Sequence, residues 1–253
     1  MNFYVRTNYG TDVGLGHISR ISCLLNHLKK KHTCSIFVDE FDNKNLHLIN
    51  HLHINSLYDG NKKFKNQLED AKIFLSKIKK LPKGIVIVDD YRIGYIWEKL
   101  ISNYCGKIVS IDDFLYKKHY SDILINSKPD FFNLHSNKIK KINKKKCKFL
   151  LGPHYAILNN NIKKKAKQNV FKIVFYSGGS GNLNIFKRII KNIIKKKNIF
   201  KSKIIIQIIV GPYSKNISEI IKIAELHKNI RTIFSPKYIN NILINSDLLI
   251  ATA

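Results

Sequence analysis

The chain has 253 residues, 44% of them hydrophobic and 11% aromatic, which is enough to bury one large core or two medium ones and is not a disordered composition. The formal charge of +28 suggests nucleic acid, yet among 45 cations only Arg6, Arg20, Arg92, Arg188 and Arg231 are arginine, the residue that dominates planar recognition of phosphates and bases. Lysine is enriched together with asparagine and isoleucine, which share its A/T-rich codons, so the expectation is salt-sensitive adhesion to polyanions and no specific nucleic-acid partner.

Residues 3–5 form an apolar strand that runs into a polar turn ending Gly14-Leu15-Gly16-His17. Ile18, Ile21, Leu24, Leu25 and Leu28 then recur at helical spacing. A strand, a glycine turn and a helix opening make an anion-binding device, because backbone can approach the ligand and unpaired N–H groups face it. His17 sits where the phosphate-bearing group would dock. A strand at 34–38 follows, then a helix aligning Leu68, Ala71, Leu75 and Ile78, then a buried-looking strand at 85–88 closed by Asp89-Asp90. Helical signals around Ile96, Trp97, Leu100 and Tyr104 precede strands at 107–111 and 123–125. The lysine-rich run 138–146 reads as a solvated connection before a strand at 149–151.

Residues 159–169 are polar and lysine-rich, the best linker candidate. The pattern then restarts with a strand at 171–176, the loop Ser177-Gly178-Gly179-Ser180-Gly181 and a helix carrying Phe186, Ile189, Ile190 and Ile193. A strand at 204–210 ends at Gly211. A helix over 217–226, a strand at 230–233, a short helix at 239–243 and a strand at 248–251 complete it. Short apolar runs separated by helices predict parallel sheets covered on both faces. The expected class is α/β, with two Rossmann-like doubly wound domains over 1–158 and 170–253. Parallel strands are normally followed by a loop and a covering helix, so the second domain is expected to be shortened by at least one such unit.

No apolar run is long enough to span a bilayer and no leader pattern opens the chain, so a cytoplasmic location is expected. The four cysteines lack metal or redox spacing, and Cys23 and Cys34 fall in apolar patterns that predict buried reduced thiols. His17 is the candidate general base, since a neutral imidazole of pKa about 6.5 can take a proton from water. The plainer alternative is a helix-terminal histidine bonded locally. Arg20, one turn on, can neutralise a phosphate or pair with a carboxylate. Asp89, Asp90, Asp112 and Asp113 can position a sugar hydroxyl or orient His17; turn and cap roles are the alternative, and for Asp89 the expected one. Most other histidines lie in polar, surface-like stretches. No carboxylate cluster has metal spacing, and neither metal nor cofactor is expected.

In order along the chain, these residues resemble a known family. Arg6-x-Asn8-x5-Gly14-x-Gly16-His17-x-x-Arg20 is similar to the opening of the UDP-2,4-diacetamido-2,4,6-trideoxy-β-L-altropyranose hydrolases of pseudaminic acid biosynthesis, relatives of GT-B glycosyltransferases. The resemblance continues through Val86-Ile87-Val88-Asp89-Asp90-Tyr91, Ile111-Asp112-Asp113, Asp122-Ile123-Leu124-Ile125-Asn126 and Leu151-Gly152-Pro153-His154-Tyr155. It extends to Ser177-Gly178-Gly179, Val210-Gly211, Asn229-Ile230 and Ser246-Asp247-Leu248-Leu249-Ile250. It implies two Rossmann-like domains with a UDP-sugar in the cleft. His17 would activate a water that attacks the anomeric carbon and releases UDP with inversion, with Tyr91 beside it. Arg6, Gly14, Leu15, Gly16, Arg20 and Asp112 would meet the substrate, and Gly178, Gly179 and Gly211 the nucleotide. No metal is implied, and a monomer is expected.

The chain departs from the family pattern at Asn8, Asp90, Gly181 and Asn159, where Asp, His, Asp and Arg are usual. Two alternatives remain at this point: a GT-B glycosyltransferase with an alcohol acceptor, and a lysine-rich polyanion-binding protein.

Overall fold

Stretches rich in β-branched and aromatic residues, free of internal glycine and proline, form the strands of the first sheet. In the computed structural model, which describes residues 1–41, 52–59, 63–128, 141–158, 169–195, 203–236 and 239–252, these are β1 (Asn2–Thr7), β2 (Thr33–Val38), β3 (Ile54–Ser56), β4 (Ile85–Asp89), β5 (Lys107–Ile111), β6 (Ile123–Asn126) and β7 (Lys148–Leu151). All neighbours pair in parallel, in the order β3-β2-β1-β4-β5-β6-β7. Strand order reverses between β1 and β4, and ligands of open α/β sheets bind beyond the strand ends at such a point. The short β3 is absent from the sequence reading. The linker read at 159–169 lies outside the described residues except for Asn169, and so do residues 138–140.

By contact the chain divides into two compact units, residues 1–8 with 17–158, and residues 9–16 with 159–253. Residues 9–16, read from sequence as part of the first domain, thus group with the second unit. In the first unit, helix α1 (Gly16–Leu28) buries Ile18, Ile21 and Leu25 at the predicted spacing. Helix α2 (Gln67–Ile78) buries Ala71 and Ile78 of the expected face and packs Leu75 against the core, but Leu68 is 46% exposed and the buried face is completed by Phe74 and Asp70. The inward carboxylate is possible because it is fully paired. Asp70 accepts from Arg6 Nε at 3.2 Å and Nη2 at 2.7 Å, from Tyr58 Oη at 2.7 Å and from Trp97 Nε1 at 2.7 Å. Trp97 comes from α3 (Tyr95–Ile101), which packs beside α2 over Tyr4, Val86, Val88 and Ile108.

The second unit has the parallel sheet order β10-β9-β8-β11, from β8 (Phe171–Tyr176), β9 (Ile204–Val210), β10 (Ile230–Phe234) and β11 (Leu248–Ala251). Helices α4 (Asn184–Lys195), α5 (Ser218–Glu225) and α6 (Ile239–Ile244) connect them. Its core gathers Phe175, Phe186, Ile190, Ile206, Ile208 and Ile220, whereas Ile189, another apolar position of α4, is 39% exposed. Among the described residues no helix is long and apolar enough to cross a membrane. The four cysteines are free, and Cys23 and Cys34 are half-buried rather than buried.

Candidate functional site

Strand β4 ends in Asp89 and is followed by Asp90, and the period-two pleat sends the two carboxylates to opposite faces of the sheet. Asp89, fully buried, turns to α1. Its Oδ1 lies 2.7 Å from His17 Nδ1, and its two oxygens accept from Arg20 Nη2 at 2.5 Å and Nε at 3.0 Å. Arg20 Nη1 then reaches both oxygens of Asp113 at 2.9 Å, and Tyr91 Oη donates to the same carboxylate. The Tyr91 ring meets the His17 imidazole edge-on at 4.3 Å between centroids. His17, Arg20, Asp89, Tyr91 and Asp113 therefore form one cluster at the ends of β4 and β5, positioned by the first turn of α1.

The electrostatics fix the states of Arg20, Asp113 and Tyr91. Burial of the Arg20 guanidinium alone would lower its pKa, but Asp89 and Asp113 outweigh that and hold it above its ordinary value. Burial would raise the Asp113 carboxyl, yet hydrogen bonds from Tyr91 and Arg20 keep it below the ordinary range. Burial, then the bond to Asp113, pushes the Tyr91 phenol up, so it stays a donor. An ionised Asp89 can only accept, which assigns the proton of a neutral His17 to Nδ1 and leaves the Nε2 lone pair available. Among the described residues Nε2 makes no hydrogen bond, and the His17 side chain is 8% exposed. This is the orientation a general base requires. Asp89, which the sequence reading placed as a turn or cap residue, is instead the group that orients His17.

Arg6 does not stand where a ligand could use it. It is fully buried, donating to Asp70, to Asp39 Oδ1 at 2.5 Å and to the Thr7 carbonyl at 2.7 Å, with Asp90 Oδ2 at 3.7 Å. Arg92 clamps Asp39 and Asp90 from the other side. The expected substrate contact is thus a structural centre tying β1 to β2, α2 and β4. Asp112 is similarly occupied: Oδ1 accepts from Phe114 N–H at 3.0 Å, and Oδ2 lies 2.9 Å from His119 Nε2. His119 Nδ1 lies 2.7 Å from Glu98 Oε1, and this buried histidine was missed because its stretch reads as polar surface. Burial alone would lower its pKa, but Asp112 and Glu98 push it up to about 9. Among the described residues no group of three His, Cys, Asp or Glu side chains is placed to hold a metal ion.

In the second unit, Gly10 and Gly14 exchange two backbone hydrogen bonds of 3.1 and 2.7 Å, closing the turn that carries Leu15 and Gly16. Within that unit Leu15 lies against Gly179, where an added Cβ would meet its side chain at 2.8 Å. After β8 the loop 177–181 is tied down by Tyr213 N–H to the Gly179 carbonyl at 2.9 Å and Lys215 N–H to the Gly181 carbonyl at 3.1 Å. The N–H groups of Gly178, Gly179 and Ser180 donate to no backbone carbonyl among the described residues, and the buried Ser177 Oγ has no partner there. Unsatisfied donors at a strand end beside β11 suit an anionic oxygen.

No family model matches the chain. A UDP-2,4-diacetamido-2,4,6-trideoxy-β-L-altropyranose hydrolase of Campylobacter jejuni is 28% identical over 183 residues, covering 71% of this chain and 63% of that protein. The resemblance of the motifs is a sequence relationship to that hydrolase. An uncharacterised protein of Methanocaldococcus jannaschii is 24% identical, covering 97% of this chain and 52% of its own length. The chain thus spans between about half and two-thirds of these relatives. Among solved structures, a UDP-GlcNAc 2-epimerase of M. jannaschii matches with TM-score 0.57 and 12% identity, over 100% of this chain and 79% of the other. Acinetobacter baumannii MurG matches with TM-score 0.54 and 11% identity, over 99% and 71%. The UDP-GlcNAc 2-epimerase of Neisseria meningitidis bound to UDP-GlcNAc gives 0.55 and 13%, over 100% and 78%. At these identities the likeness establishes the fold, two Rossmann-like domains of GT-B type.

Proposed function

We propose that the chain carries the water-activating residues of a UDP-sugar hydrolase acting on a UDP-linked diacetamido-trideoxy sugar. The observation that carries this is the 2.7 Å contact between Asp89 and His17 Nδ1, which leaves Nε2 as the free base at the sheet's switch point. Water gives a proton to His17 Nε2 as its oxygen bonds to the anomeric carbon, and the C1–O bond breaks with its electron pair leaving on UDP. Attack opposite the leaving group inverts C1. The imidazolium that forms is stabilised by Asp89, whose charge is shared with Arg20 but reinforced by Asp113. Tyr91 is a positioning residue in this reading, its hydroxyl committed to Asp113 and its ring edge fixing the imidazole. The donors of loop 177–181, with Gly211, are proposed to bind the diphosphate. UDP is a good leaving group, so charge stabilisation and positioning suffice without a metal.

The sequence relationship to the C. jejuni hydrolase supports the substrate class. The test is UDP release from UDP-2,4-diacetamido-2,4,6-trideoxy-β-L-altropyranose, with product analysis in the presence of added alcohols. Free sugar and UDP from the wild type, and neither from His17→Ala, are expected. Sugar found only on an added acceptor, or substrate isomerised without UDP release, overturns the reading.

A further inference from the structure

Beside the His17 cluster a cavity of about 400 Å³ opens, lined by Tyr91, Asp112, Phe114, Tyr116 and Lys117. This is within the size range of small-ligand sites, about 300–1,000 Å³. The polar groups of Asp112, Lys117 and Tyr91 are already engaged. The Asp112 oxygens serve His119 and the Phe114 N–H. Lys117 Nζ donates to the carbonyls of Tyr91 and Ile93. The Tyr91 hydroxyl donates to Asp113. The rest of the wall is mostly ring and CH surface. Its rings form a continuous run, with Tyr91 edge-on to Phe114 at 4.9 Å and Phe114 stacked on Tyr116 at 5.5 Å. Between the two, Leu115 has φ 53°, a left-handed conformation uncommon for a residue with a Cβ. Its side chain is buried while the rings on either side of it come together, so the backbone is bent where the aromatic wall is built.

We propose that this recess receives the methyl-bearing substituents of the sugar, and that Phe114 and Tyr116 select a deoxy, N-acylated sugar over a hydroxylated one. The inference rests on the function proposed above, which brings a sugar to Tyr91. A methyl group gains from burial against the rings, whereas a hydroxyl there loses its water and finds Asp112, Lys117 and the Tyr91 hydroxyl already engaged with other groups. A hydroxymethyl group in place of the C6 methyl is expected to lower kcat/KM about 10- to 100-fold.

The experiment compares kcat/KM for UDP-2,4-diacetamido-2,4,6-trideoxy-β-L-altropyranose and its 6-hydroxy counterpart in the wild type, Phe114→Ala and Tyr116→Ala. Tyr116 is 86% exposed, so its variant keeps the fold. The preference is expected to shrink about fivefold or more in at least one variant. An unchanged ratio in both, with turnover retained, overturns the recess but not the hydrolase. Failure of the hydrolase reading shows differently, as no UDP release from either substrate by the wild type. Saturation-transfer NMR of the nucleotide sugar on His17→Ala protein then decides the recess alone. Strong saturation of the sugar methyl protons, lost in the double variant with Phe114→Ala, supports it; saturation confined to uracil and ribose protons overturns it.

Discussion

The carboxylate of Asp89 lies 2.7 Å from Nδ1 of His17 and is held by Arg20 through both of its oxygens. In Asp89→Asn one oxygen remains for two donors. The guanidinium, always charged, takes it and turns the amide nitrogen to His17, which moves the ring proton to Nε2. UDP release is expected to fall about 10²- to 10⁴-fold with the fold intact. Nitrogen chemical shifts of the His17 ring report the tautomer directly, and a rate within twofold of wild type with the tautomer switched removes Asp89 from the mechanism.

Arg6 offers the opposite case, a residue of the motif that serves stability. Removing it leaves the buried Asp70 without its counter-charge, while Asp39 and Asp90 keep Arg92. Arg6→Ala is therefore expected to cost about 3–5 kcal/mol in urea unfolding. Arg6→Lys, which keeps a charge but not the fork, is expected to lower stability less and to leave KM for the sugar nucleotide unchanged. A raised KM with unchanged stability would return Arg6 to the substrate.

These two residues show what was legible in the sequence. Asp89 and Asp90 are chemically identical neighbours, and only the pleat and the position of α1 decide that one orients His17 and the other faces Arg6 and Arg92. The carboxylates of Asp39, Asp70 and Asp90 around Arg6 come from segments far apart in the chain, so no spacing reveals them. The strands were readable because apolar runs such as Ile85–Asp89 need no partner to be recognised. Ile54–Ser56 was not, since three residues with one apolar side chain carry no period. At α2 the sequence pattern located Ala71, Leu75 and Ile78 but not Asp70, which reads as polar until Arg6, Tyr58 and Trp97 converge on it.

His119 makes stability depend on pH in a window set by its own shift. Its folded pKa is raised, from 6.5 to about 9, by Asp112 and Glu98 acting against burial. The stabilisation is therefore fully present below about 6.5 and is lost as pH rises to about 9, a loss on the order of 3 kcal/mol. Urea unfolding at pH 6, 7.5 and 9.5 is expected to show this decline in the wild type and a flatter profile in His119→Gln. Equal slopes in the two proteins would assign the decline to other groups.

Gly178, in loop 177–181, and Gly211, which follows β9, are expected to respond differently to alanine. At Gly178, φ is +80° and nothing lies within 4 Å of an added Cβ, so the substitution stores backbone strain on the order of 1 kcal/mol and leaves the loop in place. At Gly211 an added Cβ would lie 2.5 Å from the Gly179 carbonyl oxygen and 2.7 Å from that of Gly178. Neither oxygen can retreat unless the loop moves with it. If this loop holds the diphosphate, Gly211→Ala displaces the donors of Gly178 and Gly179 and lowers UDP affinity about tenfold or more, while Gly178→Ala changes it by less. Calorimetric titration with UDP measures both, with thermal unfolding as the control for the fold. Equal affinities in the wild type and Gly211→Ala would place the diphosphate away from loop 177–181, because a backbone displaced by a methyl group cannot present the same N–H geometry to it.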